Sequence, residues 1–178
     1  MIGLLTSPDP ASYQPGSLVN NMKILEEKKI LVVDDEPDVL ETVSNILDSS
    51  KIVTADNFDE ALALIAPGAF DLVILDIMGV NGFALLEACR KKKLPAAMLT
   101  AHAINVESLN LAVKLGAVSF LPKEELDRLP ELIAEILEGL EQGQTHWQKL
   151  FVRLDKFFKE RLGINWEEDK SKFPLHYY

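Results

Sequence analysis

The sequence has one cysteine, no long apolar run and no excess of basic residues, and each shortage excludes a class of protein. With Cys89 as the only cysteine among 178 residues, no intramolecular disulfide forms, and we expect a small buried side chain in a reducing compartment. No apolar stretch approaches the ~18 residues that a membrane-spanning helix needs. The net charge of -10 argues against general affinity for nucleic acid or anionic lipid. We therefore predict a cytoplasmic protein that does not bind nucleic acid and for which membrane contact is the less expected alternative.

Short apolar runs alternate with longer segments that have helical spacing. The predicted strands are KILVVD (29–34), KIVTA (51–55), DLVIL (71–75), AAMLT (96–100) and AVSFL (117–121), and the predicted helices lie near 37–47, 58–65, 82–92, 106–115 and 130–140. The most apolar strands lack alternation, which is typical of parallel strands covered on both faces. Parallel neighbours need a crossover helix, so the pattern predicts an α/β fold with a doubly wound five-stranded parallel sheet.

Composition divides the chain into three parts. Residues 1–27 mix Pro, Ser, Gly and Asn without periodicity and are predicted to be a flexible leader. Translation could start at Met22 instead of Met1, and the sequence leaves both starts open. Residues 28–141 form the α/β domain. Residues 142–178 are predicted to be an amphipathic helical extension and an irregular tail, too short for a winged-helix DNA-binding domain. For the extension we expect three alternatives, in decreasing order. It packs on the domain itself, it contacts a second copy of the chain or another protein, or it lies on a membrane surface.

Polar and charged side chains gather where four of the predicted strands end. Strand one ends at Asp34 and Asp35, strand three at Asp76, strand four at Thr100 and strand five at Lys123. Ligands bind beyond the carboxyl ends of the strands in a doubly wound sheet, so we expect these side chains to meet. Each one alone is more often a helix cap or a solvated loop residue. The combination at four strand ends is what indicates a functional site.

These side chains favour phosphate chemistry. Three converging carboxylates repel one another and raise one another's pKa unless a cation joins them. Oxygen ligands without His or Cys favour Mg2+ over zinc, and Mg2+ often takes phosphate oxygens as further ligands. Asp76 is then the candidate nucleophile, Lys123 stabilises the negative charge of the transferred group, and the Thr100 hydroxyl binds one of its oxygens.

The motifs ILVVDDEPD, DLVILDIM, NGFALLE, AAMLTAHA and LGAVSFLPK resemble the receiver domain of two-component response regulators. The resemblance covers about residues 28–141 and implies a flavodoxin-like fold with strand order 2-1-3-4-5. It also implies that a histidine kinase or a phosphotransfer protein phosphorylates Asp76. By the resemblance, Asp35, Asp76 and the backbone carbonyl of Met78 bind Mg2+, Asp34 acts mainly through water, and Thr100 and Lys123 bind the phosphoryl oxygens.

The same resemblance assigns roles in switching and in tuning. Thr100 and Phe120 are expected to couple phosphorylation to the surface that binds a downstream protein partner. Met78 and His102 flank the path of attacking water and are expected to tune the lifetime of the phosphorylated state. The alternative for His102 is an exposed loop histidine without such a role.

Two features depart from the family pattern. The segment DIMGVNG (76–82) is shorter than the usual loop, which puts the position of the Met78 carbonyl in doubt. Its two glycines are expected to allow the tighter turn by adopting torsion angles that other residues resist. Glu124 follows Lys123 where the family often has a cis proline, so a trans bond is expected. We predict a stand-alone phosphorylation switch rather than an enzyme on external substrates. The alternatives are an unphosphorylated pseudo-receiver that only binds partners, and a hydrolase, which usually has a second acidic residue at the position of Met78.

Overall fold

The computed structural model describes residues 23–101 and 106–143. Within them, strands and helices alternate as predicted, with bounds that differ from the predicted ones by at most two residues. The strands are β1 (Lys29–Val33), β2 (Lys51–Ala55), β3 (Leu72–Asp76), β4 (Ala96–Thr100) and β5 (Ser119–Pro122). The α-helices are α1 (Pro37–Ile46), α2 (Phe58–Ile65), α3 (Gly82–Lys91), α4 (Val106–Leu115) and α5 (Leu129–Glu141). A 3-10 helix at Lys123–Arg128, which was not predicted, connects β5 to α5.

The five strands form one parallel sheet in the order β2-β1-β3-β4-β5. The order reverses between β1 and β3, because the chain first runs outward from β1 to β2 and then returns to the other side of β1. All five residues of β3 and all five of β4 are buried. The predicted fold class and the flavodoxin-like strand order are therefore confirmed.

Successive side chains of the central strands enter two separate cores. Leu31 and Val73 face the core that α2, α3 and α4 cover. Ile30 and Leu72 face the core that α1 and α5 cover. Side chains alternate between the two faces of a strand, so a strand that is apolar at every position requires helices on both faces. This arrangement explains the apolar runs in the sequence.

The core begins before the predicted domain boundary. Residues 23–25 are helical, and Leu25 is 1% exposed within the core beneath α1 and α5. The Ser50 hydroxyl also donates a 2.8 Å hydrogen bond to the Leu25 carbonyl oxygen. Residues before the predicted boundary at residue 28 therefore also pack in the core. The rest of the predicted leader and the extension from residue 144 onward lie outside the described residues.

Cys89 is buried in the core on α3, as expected for a small apolar side chain. Burial raises the pKa of its thiol to about 12, because the thiolate would lose its hydration there. Among the described residues, no helix combines the length and the hydropathy that a bilayer crossing requires.

Candidate functional site

The predicted site residues converge at the carboxyl end of the sheet. Asp34 and Asp35 follow β1, Asp76 and Thr100 end β3 and β4, and Lys123 follows β5. The side chains of the three aspartates each place an oxygen within 4.8 Å of the others. Beside them, a cleft of about 270 Å³ is bordered by Asp35, Asp76, Thr100 and Lys123. The cleft lies where the order of the strands reverses, since β1 and β3 supply its acidic groups.

Lys123 holds the acidic groups together. Its Nζ lies 2.7 Å from Oε1 of Glu36, 2.8 Å from Oδ2 of Asp34 and 3.1 Å from Oδ1 of Asp76. Burial tends to lower the pKa of this ammonium, but the bonds to the three carboxylates outweigh it, so the pKa is raised. Lys123 is therefore charged throughout the physiological range. The peptide bond that follows it is trans, as predicted.

Asp34 is completely buried. Its Oδ1 accepts a 3.0 Å hydrogen bond from the Glu36 N–H, and its Oδ2 contacts Lys123. Burial raises the pKa of Asp34 and the negative charge of Asp76 adds to this, whereas Lys123 and the Glu36 N–H act in the opposite direction. From the sequence, repulsion between the carboxylates is the expected cause of a raised pKa. In the structure, loss of hydration is the larger cause for Asp34.

The loop after β3 fixes the orientation of Asp76. Oδ2 of Asp76 accepts hydrogen bonds from the N–H of Met78, at 3.0 Å, and from the N–H of Gly79, at 2.7 Å. Its Oδ1 is left facing Lys123. Asn81, the residue before α3, has a φ of 54° in the left-handed region, which Asn tolerates better than most residues. The shortened loop therefore closes while orienting the carboxylate toward the lysine.

Close packing against backbone requires Gly82, whereas Gly79 lies against a side chain that can move, and neither glycine supplies an unusual torsion angle. A Cβ on Gly79 would overlap the Asp35 carboxylate, and a Cβ on Gly82 would overlap the backbone carbonyl oxygen of Asp76. Neither glycine has a positive φ. The expectation that they supply unusual torsion angles was wrong, and the positive φ belongs to Asn81.

The switch and tuning residues have different surroundings. Thr100 is 4% exposed, and its hydroxyl donates a 2.9 Å hydrogen bond to the Ala101 carbonyl oxygen. Phe120 is buried in the core of the sheet. Met78 borders the cleft but is 83% exposed. His102 lies outside the described residues, so its predicted tuning role stays a prediction.

Sequence reasoning missed two contributors to the site. Glu36, which follows Asp34 and Asp35 in the sequence, was given no role, and it contacts Lys123. The N–H group of Gly79 was also missed, although it makes the shorter of the two bonds from the loop to Asp76. One feature of the sequence could have drawn attention to Glu36. It stands directly before the predicted helix α1, at a position where Ser, Thr, Asp or Asn is the usual cap.

The acidic cluster fits a hard divalent cation. Its three carboxylates supply only oxygen ligands, which suit Mg2+. Asp34 and Asp76 are buried, whereas Asp35 is exposed and borders the cleft. Asp35 would therefore hold a cation from the rim of the cleft, and Asp34 and Asp76 would hold it from the buried side.

The fold and this site define a class of protein, the doubly wound α/β domains with an acidic pocket at the reversal of strand order. The sequence model described as "Response regulator receiver domain" matches residues 30–136. The chain belongs to this family, the receiver domains of two-component systems.

Similarity to individual proteins agrees with the family. The response regulator protein PilR of Pseudomonas aeruginosa is 36% identical over 120 residues, which cover 64% of this chain and 27% of PilR. The transcriptional regulatory protein CpxR of Klebsiella pneumoniae is 34% identical over 126 residues, which cover 68% of this chain and 52% of CpxR. The crystal structure of the NtrX receiver domain from Brucella abortus matches with a TM-score of 0.55 and 38% identity, over 61% of this chain and 98% of that one.

The chain spans between about a quarter and about half of these two curated relatives. The shared part is the receiver domain, because the family match ends at residue 136. The similarity therefore assigns the domain, and the activities of the complete relatives do not transfer with it.

Proposed function

We propose that this receiver domain is a phosphorylation-dependent switch in which Asp76 accepts a phosphoryl group from a histidine kinase or a phosphotransfer protein. The observation that carries the proposal is the position of Lys123, which bridges Asp34 and Asp76 at the reversal of strand order. A fixed positive charge beside the acceptor carboxylate stabilises the negative charge of an incoming phosphoryl group.

The proposed reaction is a direct phosphoryl transfer. A carboxylate oxygen of Asp76 attacks the phosphorus of a phosphohistidine, and the new O–P bond forms as the P–N bond breaks. The electron pair of the P–N bond remains on the imidazole nitrogen. In the return step, water attacks the phosphorus and the O–P bond breaks, which gives inorganic phosphate and the free Asp76 carboxylate.

The residues around Asp76 have different roles in this reaction. The N–H groups of Met78 and Gly79 hold one carboxylate oxygen in place, which fixes the orientation of Asp76. Lys123 donates to a phosphoryl oxygen. Mg2+, held by Asp35, Asp76 and the carbonyl oxygen of Met78, with Asp34 acting through water, would neutralise charge on the phosphoryl group.

The proposed output begins at Thr100. Its hydroxyl would give up the hydrogen bond to the Ala101 carbonyl oxygen and donate to a phosphoryl oxygen instead. This rotation of the Thr100 side chain would move the end of β4. Phe120 on the neighbouring β5 is paired with Met98 of β4 and packs in one core with it, so Phe120 would adjust with β4. The altered surface would then bind a downstream protein partner, while Met78 and His102 tune how long the phosphorylated state lasts.

A pseudo-receiver that binds partners without being phosphorylated is the second candidate. Its motivation is the shortened loop after Asp76. The loop nevertheless orients the Asp76 carboxylate by two N–H groups and leaves its Oδ1 beside Lys123. This arrangement favours the phosphorylated switch.

Mass spectrometry after incubation with Mg2+ and acetyl phosphate tests the proposal. We expect one added phosphoryl group in the wild-type chain and none in Asp76→Asn. Asp38→Asn, in the first turn of α1, removes an exposed carboxylate outside the acidic cluster and should still be modified. If the wild-type chain gains no phosphoryl group and binds no Mg2+, the pseudo-receiver alternative replaces this proposal.

A further inference from the structure

Lys123 has as many carboxylate partners as it has N–H donors. Its ammonium carries three donors, and three carboxylate oxygens lie within 3.1 Å of Nζ. A phosphoryl oxygen on Asp76 would need one of these donors. Asp76 can pass its own donor to the phosphoryl group that it carries, and a second phosphoryl oxygen reaches Lys123 only if Asp34 or Glu36 gives up its contact.

The three partners differ in what they would lose. Asp34 is completely buried, so releasing Lys123 would leave a buried carboxylate without its cation. Asp76 is the residue to be modified and stays beside the lysine. The Glu36 side chain is 62% exposed, so water replaces the lysine at small cost. Glu36 is the partner that can leave.

The Glu36 side chain, directly before α1, does not act as a hydrogen-bonding cap of that helix. Glu36 is the N-cap residue of the helix, yet its side chain makes no capping hydrogen bond. Its carboxylate reaches Lys123 instead, at 2.7 Å, which is the shortest of the three contacts. Its N–H meanwhile holds Oδ1 of Asp34. Glu36 therefore makes two contacts within the site, one through its backbone N–H and one through its side-chain carboxylate.

We propose that Glu36 is a displaceable partner of Lys123 that competes with the incoming phosphoryl group and thereby limits the rate at which Asp76 is phosphorylated. This inference rests on the proposed function. Glu36 acts through Lys123, so it is a positioning residue rather than a catalytic one. Its negative charge also opposes the approach of an anionic phosphodonor, which adds to the competition in the same direction.

The test compares phosphorylation rates of purified variants with acetyl phosphate and Mg2+. Glu36→Gln removes the charge and weakens the contact, and we expect phosphorylation about two- to fivefold faster, the range that an exposed ion pair supports. Glu36→Asp keeps the charge but has a shorter side chain, so it should also be faster than wild type. Asp38→Asn is the matched control, since it removes the same charge from the first turn of α1 and should leave the rate unchanged.

A second measurement examines the contact without any phosphorylation. In the unmodified protein, NMR of the lysine ammonium protons should show slow exchange with water at Lys123, and faster exchange in Glu36→Gln. Together with the acceleration in both Glu36 variants, this result supports the proposal. Unchanged rates in Glu36→Gln, equal acceleration in Asp38→Asn, or a wild-type rate in Glu36→Asp would overturn it. A wild-type chain that is never modified, but whose Lys123 protons respond to Glu36→Gln, shows instead that the proposed function has failed.

Discussion

The Cα of Gly82 lies directly against the backbone carbonyl oxygen of Asp76, so close that a Cβ at this position would overlap it. Gly82 opens α3 and Asp76 ends β3, and their contact joins the helix to the strand that carries the candidate nucleophile. The shortened loop between them is possible because one of the two residues has no side chain.

Gly82→Ala should destabilise the fold, because the added methyl group forces α3 away from the end of β3. We expect a loss of about 1–3 kcal/mol in the free energy of unfolding, the usual cost of overpacking, measured by urea denaturation. Gly68→Ala is the comparison, since Gly68 has open space around it and a φ of 69°. Its cost should be that of the left-handed backbone alone, about 1–2 kcal/mol. Phosphorylation should slow in Gly82→Ala and stay unchanged in Gly68→Ala.

Lys123→Met should destabilise the fold in a pH-dependent manner. The change leaves the buried Asp34 carboxylate without its cation, at a cost of about 3 kcal/mol near neutral pH. The pKa of Asp34 is already raised, and loss of the lysine raises it further. The folded variant then binds a proton at a pH where the unfolded chain has released it, so its stability falls as pH rises above the ordinary pKa of 3.8.

Denaturation of wild type and Lys123→Met at a series of pH values checks this prediction. The difference between the two proteins should be smallest below pH 3.8, where Asp34 is protonated in the unfolded chain, and should grow toward neutral pH. A constant difference across the series would contradict the role of Lys123 as the cation of Asp34.

Asp35→Asn should weaken Mg2+ binding without unfolding the domain. Asp35 is exposed, so the amide is accommodated, but one of the three clustered carboxylates is lost. We expect the dissociation constant for Mg2+ to rise at least about tenfold, as removal of a charged ligand commonly does. Calorimetric titration measures it, with Asp38→Asn as the control that should bind like wild type. Equal affinity in Asp35→Asn would place the cation elsewhere.

Cys89 should resist thiol reagents for as long as the domain is folded. Its pKa of about 12 keeps the buried thiol protonated at pH 9, where an ordinary cysteine is half ionised. Between pH 9 and pH 12 the folded state binds more protons than the unfolded chain does, so this residue's contribution to stability is lost as pH rises through that range. Wild type should therefore lose stability more steeply than Cys89→Ala over this range, and modification should follow the rate of unfolding.

Much of the fold could be predicted from local patterns. The apolar runs of β3 and β4 identified fully buried strands, since such runs fit only a sheet covered on both faces. Leu25 escaped prediction because the short stretch MKILEEKK (22–29) has too few apolar residues to show periodicity. The 3-10 helix after β5 was missed for a similar reason, because KEELDR continues into the next helix without a break in composition.

The site was predictable in composition but not in its contacts. Residue type and strand ends were enough to select Asp34, Asp76, Thr100 and Lys123. The contact between the Glu36 side chain and Lys123, in contrast, joins two residues that are 87 positions apart in the sequence. Contacts between distant segments have no local signature.

The sequence by itself determined the alternation of strands and helices, the set of acidic, hydroxyl and ammonium groups at the strand ends, and the family. Only the tertiary structure decided how those groups are paired. It placed Lys123 among three carboxylates, made burial the main cause of the raised pKa of Asp34, and gave the two loop glycines their roles. The physical reason is that loss of hydration and close packing depend on what surrounds a residue in space, and segments distant in the chain supply those surroundings.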